Sequence, residues 1–148
     1  MKRVIYCDMD GVLADFNAEP NAVARFKEEK NFFYNLKPIE ENVQGLKELA
    51  TRNQVYILTA SPNPRADKDK IKWLKKYLPW LDIKNVIICR LGEKKVDFMV
   101  NETCGILLDD YGKNIREWYD KRGNLAYQIT ETKTIQSLVG TINLIQVI

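Results

Sequence analysis

Four short apolar runs constrain the fold more than any other feature of this chain: Arg3-Val4-Ile5-Tyr6-Cys7, Val55-Tyr56-Ile57-Leu58, Val86-Ile87-Ile88-Cys89 and Ile106-Leu107-Leu108. None alternates apolar with polar residues. A strand of that kind has to be covered on both faces, as in a parallel sheet enclosed by helices. A weaker fifth run is Leu125-Ala126-Tyr127. The segments between them carry helical spacing. Val43, Leu46, Leu49 and Ala50 share one face over about 41–52, and Ile71, Leu74 and Leu78 do so over about 65–78, where Pro79 ends the helix. Ile115, Trp118 and Tyr119 mark a helix over about 113–121, and Ile135, Leu138, Ile142 and Ile145 a last one towards the carboxyl end. Such alternation predicts an α/β fold, a doubly wound parallel sheet of about five strands with helices on both faces.

The 148 residues are the size of a single domain, and one domain over 1–148 is expected. One segment breaks the rhythm. Phe16 to Glu40 is long for a strand-to-helix connection, so a small cap insertion is expected at about 16–40, either a helical lid or a crossover helix with a long return loop.

Composition narrows the chemistry. There is no histidine, which excludes Ser-His-Asp and Cys-His hydrolases, two-histidine zinc sites and histidine phosphatases. Catalysis must run on carboxylates, lysines, hydroxyls, thiols or metal ions. The net charge of +3 is too weak to argue nucleic acid binding. Cys7, Cys89 and Cys104 lack CxxC spacing and lie in or beside apolar runs, which reads as buried thiols in a reducing compartment. No stretch approaches the ~20 apolar residues of a membrane span, and Asp8 and Asp10 interrupt the amino terminus before a signal-peptide core forms. A cytoplasmic protein without a membrane partner, monomeric or homodimeric, is expected.

In open α/β sheets ligands bind beyond the carboxyl ends of the strands. The polar residues that follow the runs are Asp8, Asp10 and Gly11; Thr59 and Ser61; Lys94 and Lys95; and Asp109 and Asp110. Four carboxylates converging on one rim would repel and raise their pKa values unless a cation compensates. Oxygen-only ligation with room for water favours Mg²⁺ over Ca²⁺. A lysine and a threonine opposite such an ion suit a dianion, phosphate above all. A carboxylate there can itself be the nucleophile, with no imidazole required. Taken singly, Asp15 and Asp97 read as caps or loop charges, and Asp109-Asp110 reads equally well as a helix cap. The joint pattern is what points to a site.

Asp8-Met9-Asp10-Gly11-Val12-Leu13-Ala14-Asp15-Phe16 resembles the first motif of the haloacid dehalogenase superfamily of phosphatases, in a form closest to the 5'(3')-deoxyribonucleotidase family. Leu58-Thr59-Ala60-Ser61-Pro62 resembles the second motif, Lys95 the third, and Leu107-Leu108-Asp109-Asp110-Tyr111 with Asn114 the fourth. Phe32-Phe33, Leu36, Pro38 and Lys72-Trp73-Leu74 extend the likeness over residues 4 to about 120. The resemblance implies Asp8 as nucleophile and Mg²⁺ ligand, and Asp10 as general acid and base with its carbonyl on the metal. It implies Thr59, Ala60 and Lys95 on the phosphate, Asp109 on the metal, and Asp110 as an outer or alternative ligand. Phe16, Ser61 and Asn114 become candidate substrate contacts. The implied function is Mg²⁺-dependent hydrolysis of a phosphomonoester through an aspartyl phosphate, with a (deoxy)ribonucleoside monophosphate as the small-molecule partner.

The segment 16–40 is short beside the larger caps of that family, so another small phosphomonoester or a nucleic-acid 3'-phosphate is the alternative substrate. A non-catalytic phosphate- or nucleotide-binding signalling domain is the alternative of another class, but receivers place the phosphoacceptor after the third strand. Phe16 and Phe32-Phe33-Tyr34 read as packing for the insertion more readily than as a base-stacking surface. Lys68, Lys72, Lys75 and Lys76, with Trp73 and Tyr77 nearby, read as a solvated helix face, and no nucleic acid partner is expected there.

Overall fold

The computed structural model describes residues 2–121 and 123–147. In chain order it contains β1 (Lys2–Cys7), α1 (Ala22–Arg25), α2 (Glu40–Leu49), β2 (Val55–Ser61), α3 (Pro64–Tyr77), β3 (Val86–Arg90), β4 (Thr103–Asp109), α4 (Gly112–Tyr119), β5 (Leu125–Gln128) and α5 (Ile135–Val147). The sheet order is β3-β2-β1-β4-β5, and every pairing is parallel. The chain winds from β1 outward to β3, then returns to place β4 on the other side of β1. That reversal opens a crevice beyond the ends of β1 and β4, where this class of sheet binds ligands.

The uniform apolar runs divide between two layers, as the pleat requires. Ile5 and Cys7 pack with Leu46, Leu49, Trp73, Leu108, Ile135 and Ile142 on one face. Val4 and Tyr6 pack with Leu58, Leu107, Trp118 and Ala126 on the other. β4 begins at Thr103, earlier than its bulky residues announce. Gly105 is the reason: a Cβ there would meet the Trp118 ring at 2.5 Å and the Tyr6 ring at 2.7 Å, so the strand must be bare where two aromatic rings close over it. β2 continues through Ser61, carrying Thr59 and Ser61 as fully buried polar residues.

Two differences from the expected pattern bear on function. The buried face of α3 is Ala66, Asp69, Lys70, Trp73 and Leu74, while Ile71 is only half-buried. Trp73 belongs to the core, its Nε1 donating to the Leu36 carbonyl at 2.8 Å. The insertion contains a single four-residue helix, α1, followed by turns. Phe16, Phe26, Phe32 and Phe33 give it a core of their own, with ring centroids 5.2–6.5 Å apart. Arg25 ties it internally to Glu19, Glu29 and the Pro20 carbonyl.

The turn after β1 is fixed from behind. Buried Asn42 on α2 donates to the Val12 carbonyl at 2.7 Å and accepts from the Ile135 amide at 2.9 Å, so one side chain joins the first motif to α5. Among the described residues, no helix is long and apolar enough to cross a membrane.

Candidate active site

The register Cys7↔Leu108 ends β1 and β4 side by side, which sets Asp8 next to Asp109. Both are buried. Lys95, in a short 3-10 turn (Lys95–Phe98) after β3, reaches between them: its Nζ lies 2.8 Å from Asp8 Oδ1 and 2.8 Å from Asp109 Oδ2. Burial works against the ammonium, but the two carboxylates outweigh it and hold Lys95 above its usual range. Burial and the neighbouring carboxylates push Asp8 and Asp109 up to about 6 despite that lysine. Asp110 is also raised, by burial and then by Asp109. Three carboxylates thus share the single Lys95 ammonium, an excess of negative charge that a divalent cation would offset.

The geometry fits a hard ion. Asp8, Asp109 and Asp110 can each offer a carboxylate oxygen, with these atoms within 4.8 Å of one another. The two adjacent aspartates are not equivalent. Asp109 Oδ1 accepts from the Tyr111 amide at 2.9 Å, and its Oδ2 takes both Lys95 and Asn114, the latter at 3.1 Å. Asp110 instead lies against Gly11: a Cβ at that glycine would meet Asp110 Oδ2 at 2.1 Å, and the φ of +81° is one that side chains avoid.

A second ion pair stands on the far side of the nucleophile candidate. Lys70, with no solvent exposure, donates from Nζ to Asp10 Oδ2, to Thr59 Oγ1 at 2.9 Å and to the Ala60 carbonyl at 2.8 Å. The same ammonium sits 4.4 Å from the centroid of the Phe33 ring. The other oxygen of Asp10, Oδ1, is buried and has no hydrogen-bond partner among the described residues.

Above these groups opens a hollow of about 310 Å³. Asp8, Asp10, Lys95, Asp109 and Asp110 form its floor, Phe16, Phe26 and Phe33 one wall, and Leu91, Tyr111 and Asn114 the other. A larger hollow of about 460 Å³ backs onto Gly11, Asn17 and Asp110 from the opposite side. It holds Asp15, Glu41 and Glu131 and no basic residue, whereas Lys95 lines the smaller one, which therefore suits an anion better.

Most of the expected residues meet here. Asp8, Asp10, Phe16, Ala60, Lys95, Asp109, Asp110 and Asn114 line the hollow, with Thr59 held just beneath by Lys70. Ser61 does not join them; it is fully buried and its Oγ donates to the Asn63 carbonyl at 3.3 Å. Lys94 points away, exposed and 3.8 Å from Glu117. Lys70 was missed by strand-end reasoning because it lies on a helix. Its signal was present, since it falls on the Ala66-Trp73-Leu74 stripe, where a lysine needs a partner.

Comparison with known proteins decides the family. The model of a family described as "5' nucleotidase, deoxy (Pyrimidine), cytosolic type C protein" matches residues 17–137, well over half of the chain. The chain belongs to this nucleotidase family. It is thereby a phosphoric monoester hydrolase. Among the nucleotidase relatives is the 5'(3')-deoxyribonucleotidase of Bacillus subtilis (strain 168), 31% identical over 134 residues that cover 69% of this chain and 77% of that protein. Two solved structures share the fold. One is a chain of the Pnkp1/Rnl/Hen1 complex (TM-score 0.65, 18% identity, 87% of this chain and 46% of that one). The other is the HAD domain of effector protein Lem4 from Legionella pneumophila (TM-score 0.54, 20% identity, 97% and 92%). The matched span begins after Asp8 and Asp10, so the first motif of this nucleotidase rests on its geometry.

Proposed function

We propose that the protein is a Mg²⁺-dependent 5'-nucleotidase acting on (deoxy)ribonucleoside monophosphates through an aspartyl phosphate on Asp8. The observation that carries this reading is the pairing of Asp8 with Lys95 beneath a phosphate-sized hollow, beside a second carboxylate, Asp10, that keeps one oxygen free. Asp8 attacks phosphorus while the bond to the leaving oxygen breaks, and Asp10 gives its proton to that oxygen from Oδ1. In the second step Asp10 takes a proton from water as the water attacks the aspartyl phosphate, which releases phosphate and restores Asp8. Lys95 and the Thr59 hydroxyl balance charge on the transferring group. Asp8, the Asp10 carbonyl and Asp110 would hold the Mg²⁺; Asp109, expected from the sequence as a direct ligand, has both oxygens engaged by Lys95, Asn114 and the Tyr111 amide and would instead orient Lys95 and Asn114. The ion supplies neutralisation of carboxylate and phosphoryl charge. The packing of the described residues about one sheet supports reading 1–148 as one domain, with 16–40 as its cap. Three free, buried cysteines suit a reducing compartment such as the cytoplasm.

The test is a phosphate-release screen over nucleoside monophosphates, deoxy and ribo, 5' and 3', beside sugar phosphates. Release from at least one nucleotide, abolished by EDTA and restored by Mg²⁺, is expected. Turnover that ignores EDTA, or that is confined to sugar phosphates, overturns the assignment.

A further inference from the structure

The hydrolytic site leaves the basic face of α3 unexplained, and the fold links that face to the mouth of the site. Phe26 lines the hollow, and the Lys27 ammonium sits 5.6 Å from its ring centroid. Arg65, at the start of α3, donates to the Lys27 and Glu28 carbonyls at 3.3 and 2.6 Å. From Arg65 the exposed face continues through Lys68, Lys72, Lys75 and Lys76, the first, second and fourth of these lysines about 6 Å apart along the axis. Lys76 ends the row over two half-buried aromatic rings, 5.5 Å from Tyr34 and 5.2 Å from Tyr77.

A solvated helix face would ordinarily intersperse acids, because like charges four residues apart each cost a few tenths of a kcal/mol. Here Lys68–Lys72 and Lys72–Lys76 both carry that cost, and none of the four lysines is in an ion pair among the described residues. The two acids of α3 are committed elsewhere, Asp67 to Arg90 at 2.9 Å and Asp69 to the interior. With Lys27, Arg65 and these four lysines set aside, the rest of the chain holds 17 basic residues against 20 acidic, so the excess positive charge is concentrated in this one row.

We propose that the row is a track for single-stranded nucleic acid whose terminal phosphate enters the site. On the phosphatase reading above, this extends the substrate class from mononucleotides to phosphate-ended strands. Lysines on a helix meet successive backbone phosphates, and at the end of the row Lys76 lies over Tyr34 and Tyr77, setting a cation beside aromatic rings as single-strand binding surfaces do. An anionic membrane would also meet the charge, but a row that starts at a phosphoester site and ends on aromatic rings favours a strand.

The test is fluorescence anisotropy with the full chain and a labelled single-stranded 12-mer bearing a 3'- or a 5'-phosphate. Four neutralised phosphates should cost on the order of 50-fold in affinity between 50 and 200 mM salt. Lys68→Glu/Lys72→Glu/Lys76→Glu should weaken binding at least tenfold and raise KM for the phosphate-ended strand while kcat holds. Thermal unfolding checks the fold of that variant, and the corresponding Gln variant replaces it if it fails to fold. No binding at 50 mM salt, equal binding by parent and folded variant, or binding to phosphatidylserine vesicles in place of the oligonucleotide overturns the track. Failure of the parent to release phosphate from any mononucleotide would sink the phosphatase reading and is read separately from strand binding.

Discussion

Two buried lysines flank the place where a phosphate would sit, and their surroundings differ. Lys95 comes from a short turn after β3 and joins Asp8 to Asp109, which lie at the ends of the adjacent central strands β1 and β4. Lys70 comes from the middle of α3 and joins Asp10 to Thr59 and the Ala60 carbonyl, with Phe33 of the insertion covering it. The first lysine answers a charge problem, since without it two buried carboxylates face each other. The second answers a positioning problem: it fixes one oxygen of Asp10 and leaves the other free, and it ties that choice to the cap. On the proposed mechanism, one side of the site would govern how much negative charge is tolerated, and the other where a proton is delivered.

The comparison can be broken at several points. Asp8→Asn should lower kcat by roughly 10⁴-fold or more with the fold retained, because it removes the group on which both sides depend. Near-normal turnover by that variant would remove the basis of the mechanism. Lys95→Ala should cost about 10²–10³-fold in kcat/KM, equally for nucleotides and for p-nitrophenyl phosphate, since charge on the phosphoryl group is common to both substrates. Lys70→Ala should cost about 10²-fold with a nucleotide but far less with p-nitrophenyl phosphate, whose leaving group needs no proton. Equal losses on the two substrates would show that Lys70 does not act through Asp10. Phe16→Ala should raise KM for a nucleotide about tenfold with kcat held, the value of one base stacked on an aromatic ring. An unchanged KM would place the base elsewhere.

The smallest effect is thermal. In the metal-free protein Asp8 and Asp109 titrate near 6, above the ordinary carboxylate value of about 4. Groups raised on folding favour the native state while protonated, and that stability is lost as pH climbs through their folded values. The melting temperature in EDTA should therefore fall by a few degrees between pH 5 and 7.5. Mg²⁺ should restore more of it at pH 7.5 than at pH 5, and an equal gain at both pH values, measured by calorimetry, would contradict the shifts.

The same contrast explains what could be read in the chain alone. Strands buried on both faces announce themselves as apolar runs, and the polar residue at the end of each run is placed by topology, so Asp8, Asp10, Lys95 and Asp109 were legible. Ser61 followed the same rule and yet turns inward, because β2 runs on through Ser61 before bending towards α3. Lys70 escaped because its neighbours Lys68 and Lys72 are exposed, and only the helical register distinguishes it from them. The ranking of Asp109 and Asp110 depended on hydrogen-bond partners contributed by Tyr111, Asn114 and Lys95, which no spacing encodes.

The pairing of β1 with β4 also has a temporal side. Asp8 is made early in synthesis, whereas Lys95 and Asp109 follow only after most of the chain has been made. Until β4 docks beside β1, Asp8 lacks both Lys95, its counter-charge, and the neighbouring carboxylates Asp109 and Asp110. The site is therefore a product of the closed sheet, and a truncated chain lacking residues 95–109 would carry Asp8 and Asp10 without Lys95 or Asp109.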